Sequence, residues 1–185
     1  MSNTALLIMD IQNGIVSRFE SDSELIDRLQ QAAASAHRAS MQIIYVVVRF
    51  RQGYPEISPN NKSFDAIKSG DFHFVENNPV TDIHPSLTPQ SADIVVTKRR
   101  VGAFSGSDLE IVLRSKNINH LVLTGIATSG VVLSTLRAAA DMDYKLTVLS
   151  DCCSDQDEEV HRVLMEKVFP RQADVMTSKE WAEAL

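Results

Sequence analysis

The sequence lacks the residues that staple small secreted folds: its only cysteines, Cys152 and Cys153, are adjacent. That spacing suits neither a disulfide between them nor a CxxC redox or zinc motif, so they read as two reduced thiols at a strand end. There is also no long basic stripe. The densest run is "KRR" from Lys98, and 24 acidic against 18 basic residues give a formal charge of -6, which argues against a nucleic-acid partner. No apolar run is long enough to span a membrane. The opening "MSNTALLIMDIQNG" has no basic segment and soon reaches an aspartate, so it reads as a strand rather than a signal peptide, and a cytoplasmic protein is expected. The histidines at 37, 73, 84, 120 and 161 are scattered without metal-ligand spacing. Neither metal nor cofactor is expected.

What is present is an ordinary globular composition. Hydrophobic residues make up 44% and charged residues 23% of 185 residues, enough for one domain over residues 1–185 with a core of its own. Short runs rich in Ile, Val and Leu recur at "ALLIMD", "QIIYVVVRF", "DIVVTK", "HLVLTGI", "KLTVLSD" and "ADVMT". They lack strict alternation, as strands covered on both faces do. Between them lie helical faces: Leu25, Ile26, Leu29, Ala32, Ala33 and Ala36; Leu109, Val112 and Leu113; Val132, Leu133 and Leu136; Val160, Val163, Leu164 and Val168. The alternation predicts an α/β fold, a Rossmann-like three-layer α/β/α sandwich around a six-stranded parallel sheet. The stretch from about Arg51 to Ser91 holds most of the prolines and little periodicity. It reads as an irregular insert serving as a lid, a binding loop or a subunit contact.

In open parallel sheets ligands sit beyond the carboxyl ends of the strands, so residues ending each run carry the chemistry. Asp10 and Lys98 follow apolar strands and have opposite signs, which makes them either a catalytic pair or a simple ion pair. Gln12 and Asn13 either fix the Asp10 carboxylate, touch substrate or form a turn. Arg49, Tyr54 and Phe104 are candidates for substrate contact, with ordinary packing as the competing role. Ser129 reads as a helix cap and Ser134 as a polar helix residue.

Three blocks carry a resemblance to the isochorismatase-like hydrolase family, also called cysteine hydrolases, which includes nicotinamidases and N-carbamoyl amide hydrolases. They are "LLIMDIQNG", "VVTKRRVGAFSGSDLE" and "LTGIATSGVVLSTLRAA". The resemblance implies that Asp10 is the catalytic acid or base and Lys98 its electrostatic partner. It implies a cis peptide before Ala127 and an anion hole of the Ala127 and Val131 amides. Amide-hydrolysing members place their nucleophilic thiol at the last position of "GxxTxxC", which here is Val131, a residue with no nucleophilic atom. Nicotinamidases hold a metal through a histidine after the second strand, whereas "VVVRFRQGYPE" has none. The resemblance therefore implies a hydrolase acting on a small anionic molecule without a thiol, as true isochorismatases do, or an inactive binding or scaffold protein on the same fold. It also implies a homo-oligomer.

Overall fold

A computed structural model describes residues 3–19, 23–70 and 73–185. The six apolar runs form β1 (Thr4–Met9), β2 (Gln42–Val48), β3 (Ile94–Lys98), β4 (His120–Ile126), β5 (Lys145–Ser154) and β6 (Asp174–Met176). They make one parallel sheet in the order β3-β2-β1-β4-β5-β6. The expected α/β class and six-stranded parallel sheet are therefore what forms. Strand order reverses between β1 and β4, so the switch point lies beyond Met9 and Gly125.

Among the described residues seven α-helices accompany the sheet: α1 (Asn13–Val16), α2 (Ser23–Arg38), α3 (Lys62–Ser69), α4 (Leu109–Ser115), α5 (Leu133–Asp141), α6 (Glu158–Val163) and α7 (Ser178–Glu183). Two cores result. On one face Leu25, Leu29 and Ala36 of α2 and Trp181 of α7 pack on Leu6, Ile8 and Ile43. On the other, Leu113 of α4 and Leu136 of α5 pack on Leu7, Ile44 and Val148, with Phe169 beside them. Each fully buried Leu or Ile contributes about 1.5–3 kcal/mol. Cys152 and Cys153 fall in opposite cores because successive strand residues face opposite sides, which separates the thiols. Burial pushes the Cys152 thiol up to about 12, with Asp151 adding to the effect.

Two details differ from the sequence reading. The stretch after Arg51 is not wholly irregular: α3 lies within it, started by Asn61, which accepts the Phe64 N–H at 3.2 Å. Eight residues give barely two turns, too few for a visible period. The stretch also has a small core of its own, with Ile57, Phe64 and Phe74 around Phe50. Residues 71 and 72 of this stretch lie outside the described residues. In the α6 region the chain widens to a π-helical turn at Leu164–Val168. The buried face becomes Leu164, Met165 and Phe169, while Val160 is exposed. A wider turn breaks the 3.6-residue spacing on which the expected face rested.

Gly125 shows why β1 and β4 approach so closely at the switch point. Its φ is 139°, and a Cβ built there would lie 2.2 Å from the Met9 carbonyl oxygen. Any side chain at this position would push apart the two strands that carry Asp10 and the following turn.

Candidate active site

Asp10 follows β1 directly and turns the chain sharply, with φ 59°. Aspartate tolerates this left-handed region better than most residues, and its N–H remains on the sheet, donating to the Val46 carbonyl at 2.8 Å. Lys98 ends β3, two strands away. Adjacent strands lie about 4.8 Å apart, so the ammonium must cross the end of β2 to reach the carboxylate. It does so: Nζ lies 2.9 Å from Asp10 Oδ2 and donates to the Arg100 carbonyl at 3.0 Å. A long unbranched side chain is needed for that span.

Both groups are buried, Asp10 to 6% and Lys98 to 2% exposure. Burial pushes the Asp10 carboxyl above the usual carboxylate range, opposed by the charge and hydrogen bond of Lys98. Asp10 Oδ1 is buried and has no hydrogen-bond partner among the described residues. A desolvated carboxyl with one oxygen anchored and the other open is suited to exchanging a proton with a bound molecule.

Gln12 is engaged elsewhere. Its Nε2 donates to the Val48 carbonyl at 3.0 Å and the Thr81 carbonyl at 2.6 Å, while its Oε1 accepts the Val48 N–H at 2.8 Å. Both donors and the acceptor oxygen are thus spent on backbone, so Gln12 ties the end of β2 to the insert instead of presenting its amide to substrate. Asn13 likewise donates to the Pro79 carbonyl at 3.0 Å. Arg49 stands beside Lys98, its N–H donating to the Lys98 carbonyl at 3.2 Å. Its guanidinium reaches the Thr81 carbonyl at 3.3 Å and the exposed Asp82 at 3.8 Å, and its buried Nε has no hydrogen-bond partner among the described residues. Tyr54 packs on Phe50 with ring centroids 5.8 Å apart, over the core of the insert. Phe104 is not brought to the pair: its ring lies 6.1 Å from that of Tyr144, the residue preceding β5, at the other end of the sheet. The loop carrying it runs down α5, held by the Ala103 N–H donating to Thr135 Oγ1 at 3.0 Å.

β4 leads through a cis Ile126–Ala127 peptide into a π-helical turn at Thr128–Val132 that continues as α5. The Ala127 N–H makes no hydrogen bond among the described residues. Its carbonyl accepts from Gly130 and Val132, closing the first turn. Val131 is buried and packs in the core shared by α4 and α5. Two side chains whose roles sequence reasoning missed grip this turn, one just after β5 and one on α6. Asp155 Oδ2 accepts the Ser129 N–H at 2.7 Å, and His161 Nδ1 lies 2.8 Å from Thr128 Oγ1. Asp155, not Ser129, is therefore the cap. Burial lowers the His161 imidazole, opposed by the charge of Asp155. The signal was weak: "SDQDEE" offers several carboxylates after a strand, and only the fold selects one.

Among the described residues no group of three or more His, Cys, Asp or Glu side chains could hold a metal ion, and no helix is long and apolar enough to cross a membrane. The isochorismatase domain model matches residues 4–180. The chain belongs to the isochorismatase family. It is 31% identical over 182 residues to the isochorismatase family protein YwoC of Bacillus subtilis, covering 97% of this chain and 93% of that one. It is 32% identical over 180 residues to ureidoacrylate amidohydrolase RutB of Stutzerimonas stutzeri, covering 81% of this chain and 69% of the relative. Among solved structures, a cysteine hydrolase from Pseudomonas syringae pv. phaseolicola superposes with TM-score 0.90 at 20% identity, covering 99% of this chain and 93% of that one. Isochorismatase family members are hydrolases, and this chain carries the family's fold with Asp10 and Lys98 in contact at the carboxyl end of its sheet.

Proposed function

We propose that this chain hydrolyses a small anionic molecule without a thiol intermediate. Asp10 handles the proton, Lys98 acts as its electrostatic partner, and the Ala127 and Val131 amides face the oxygen on which charge develops. The observation that carries this reading is the open Oδ1 of a buried Asp10 whose other oxygen is held by Lys98. A carboxyl raised above its ordinary range by burial retains its proton further toward neutrality and donates it more readily there. Oδ1 gives its proton to the substrate, water adds to the activated carbon and returns one proton to Oδ1, and the second proton of that water passes to the leaving oxygen as its bond to the carbon breaks. Arg49 orients a substrate carboxylate, since its guanidinium reaches its nearest carboxylate only at 3.8 Å.

Val131 supports the thiol-free route over the amide hydrolysis suggested by the names of relatives such as RutB. The test is a hydrolysis screen of vinyl ethers, amides and esters bearing a carboxylate, on wild type, Asp10→Ala and Val131→Cys. Turnover of a vinyl ether or ester by wild type, abolished in Asp10→Ala, is the expected result. Activity untouched by Asp10→Ala overturns the mechanism. No turnover of any of the three classes by wild type, with amide hydrolysis appearing in Val131→Cys, would mean that the natural chain binds without turnover.

A further inference from the structure

The charges around the site are not evenly distributed. On the β3 and β2 side stand Lys98, Arg49 and Arg100; of the carboxylates there, Asp82 lies 3.8 Å from Arg49, while Glu56 and Glu76 are paired with Arg99. The Arg100 guanidinium donates to the Arg99 and Glu56 carbonyls and has no carboxylate within 4 Å among the described residues. On the opposite side, beyond β4, the helical turn receives a negative charge: Asp155 accepts the Ser129 N–H at 2.7 Å. Sheet order places β5, which ends at Ser154, on the far side of β4 from β1, so Asp155 approaches the turn from the side away from Asp10. The His161–Thr128 contact comes from the same direction. A helix start ordinarily attracts anions through unpaired N–H groups and its partial positive charge. Here a carboxylate of the chain already takes one of those groups and offsets that charge.

We propose that Asp155 is a specificity-determining residue that fixes which end of the substrate reaches the turn. Its carboxylate keeps permanent anions off the Ala127 and Val131 amides. The anionic group of the substrate is turned toward Arg49 and Arg100, and its uncharged reacting oxygen faces the amides. The turn then acts on charge that appears during reaction, rather than on charge the substrate brings with it. This rests on the hydrolase reading for its consequence, but not for its measurement.

The test is a titration with inorganic phosphate followed by amide 15N–1H NMR on wild type, Asp155→Asn and Asp155→Ser. Both replacements retain an oxygen that can cap Ser129 and remove the charge, so a folding failure of one leaves the other. Phosphate is expected to shift the Ala127 and Val131 amides saturably in the two variants, about threefold or more tighter than in wild type, and to lose that advantage at high chloride. Equal phosphate affinity of the turn in wild type and variants, or no phosphate binding at the turn in either variant, overturns the proposal. If the titration behaves as expected while the substrate screen finds no turnover, the hydrolase reading fails and the role of Asp155 in anion exclusion stands.

Discussion

The two ends of the sheet each bury an aspartate, and they treat it differently. At the amino end Asp93 lines a cleft of about 760 Å3 together with His37, Gln42, Gln90 and Lys116. Its Oδ1 meets His37 Nε2 at 2.9 Å and its Oδ2 accepts the Gln90 N–H at 2.8 Å, so both oxygens are occupied. Asp93 also helps burial push the Tyr45 phenol up to about 12. At the carboxyl end Asp10 has one oxygen on Lys98, and the other has no hydrogen-bond partner among the described residues. The cleft at the amino end thus holds the satisfied carboxylate, and the carboxylate with an open oxygen sits at the switch point. A search for clefts alone leads to Asp93 rather than to Asp10. An unmet hydrogen-bond requirement in a buried group is the better guide, because the fold retains it against its own stability.

The largest effect that would test this contrast is on stability. Lys98→Met leaves Asp10 buried without its cation and is expected to cost about 3–5 kcal/mol near neutral pH. The sign with pH follows from Asp10, whose carboxyl is already raised by burial and rises further once Lys98 is gone. Stability linked to such a group is present below its unfolded pKa and lost as pH rises through the folded one, so the deficit should narrow in acid. Urea denaturation at pH 5 and pH 8 measures this, and a deficit that grows in acid would contradict it. Next is activity: Asp10→Asn should lower turnover of any substrate found by about a hundredfold or more, whereas Asp93→Asn should leave it within about twofold while weakening a charged hydrogen-bond pair by about 1–3 kcal/mol. Comparable kinetic losses from both would erase the distinction between the ends. A smaller effect is expected at Gln12→Ala, which frees the Val48 N–H and two carbonyls and should cost about 1–3 kcal/mol, with loss of hydrogen-exchange protection at the end of β2.

The smallest effect separates useful from incidental backbone strain. Ser40 follows α2 with φ 53°, its N–H donating to the His37 carbonyl at 3.0 Å and that of Met41 to the Ala36 carbonyl at 2.9 Å. This left-handed helix terminus favours glycine, and Ser40→Gly should stabilise the protein by about 1 kcal/mol with activity unchanged. Asp10 shares the left-handed conformation, and Asp10→Gly relieves it at the expense of the carboxyl. A gain in melting temperature from the first variant and a loss of turnover from the second is the expected pair of results.

Much of the fold was legible because its strands are continuous apolar runs buried on both faces, a pattern written in consecutive residues. Asp10 and Lys98 were legible for a related reason: a charge directly after such a run marks a strand end. Gln12 could not be resolved from sequence, since a glutamine that mimics a strand partner and one that touches substrate look alike until the position of Val48 is known. Phe104 was misplaced because nothing in "VGAFSG" says which way the loop runs down α5. The roles of Asp155 and His161 escaped notice because they depend on which side of β4 the next strand lies. The short helix α3 and the π-helical turn after α6 were hidden by length in one case and by altered periodicity in the other.

The span of Lys98 across the end of β2 has a mechanical consequence. β3 is an edge strand, the kind of element that frays first and most often. Its last side chain is fastened to the strand beyond its neighbour, so the edge cannot peel away without breaking the Asp10 contact. Amides near the end of β3 should therefore exchange with solvent more slowly than those of the opposite edge, β6, and a chain whose edge has loosened would lose the Asp10–Lys98 contact in the same event.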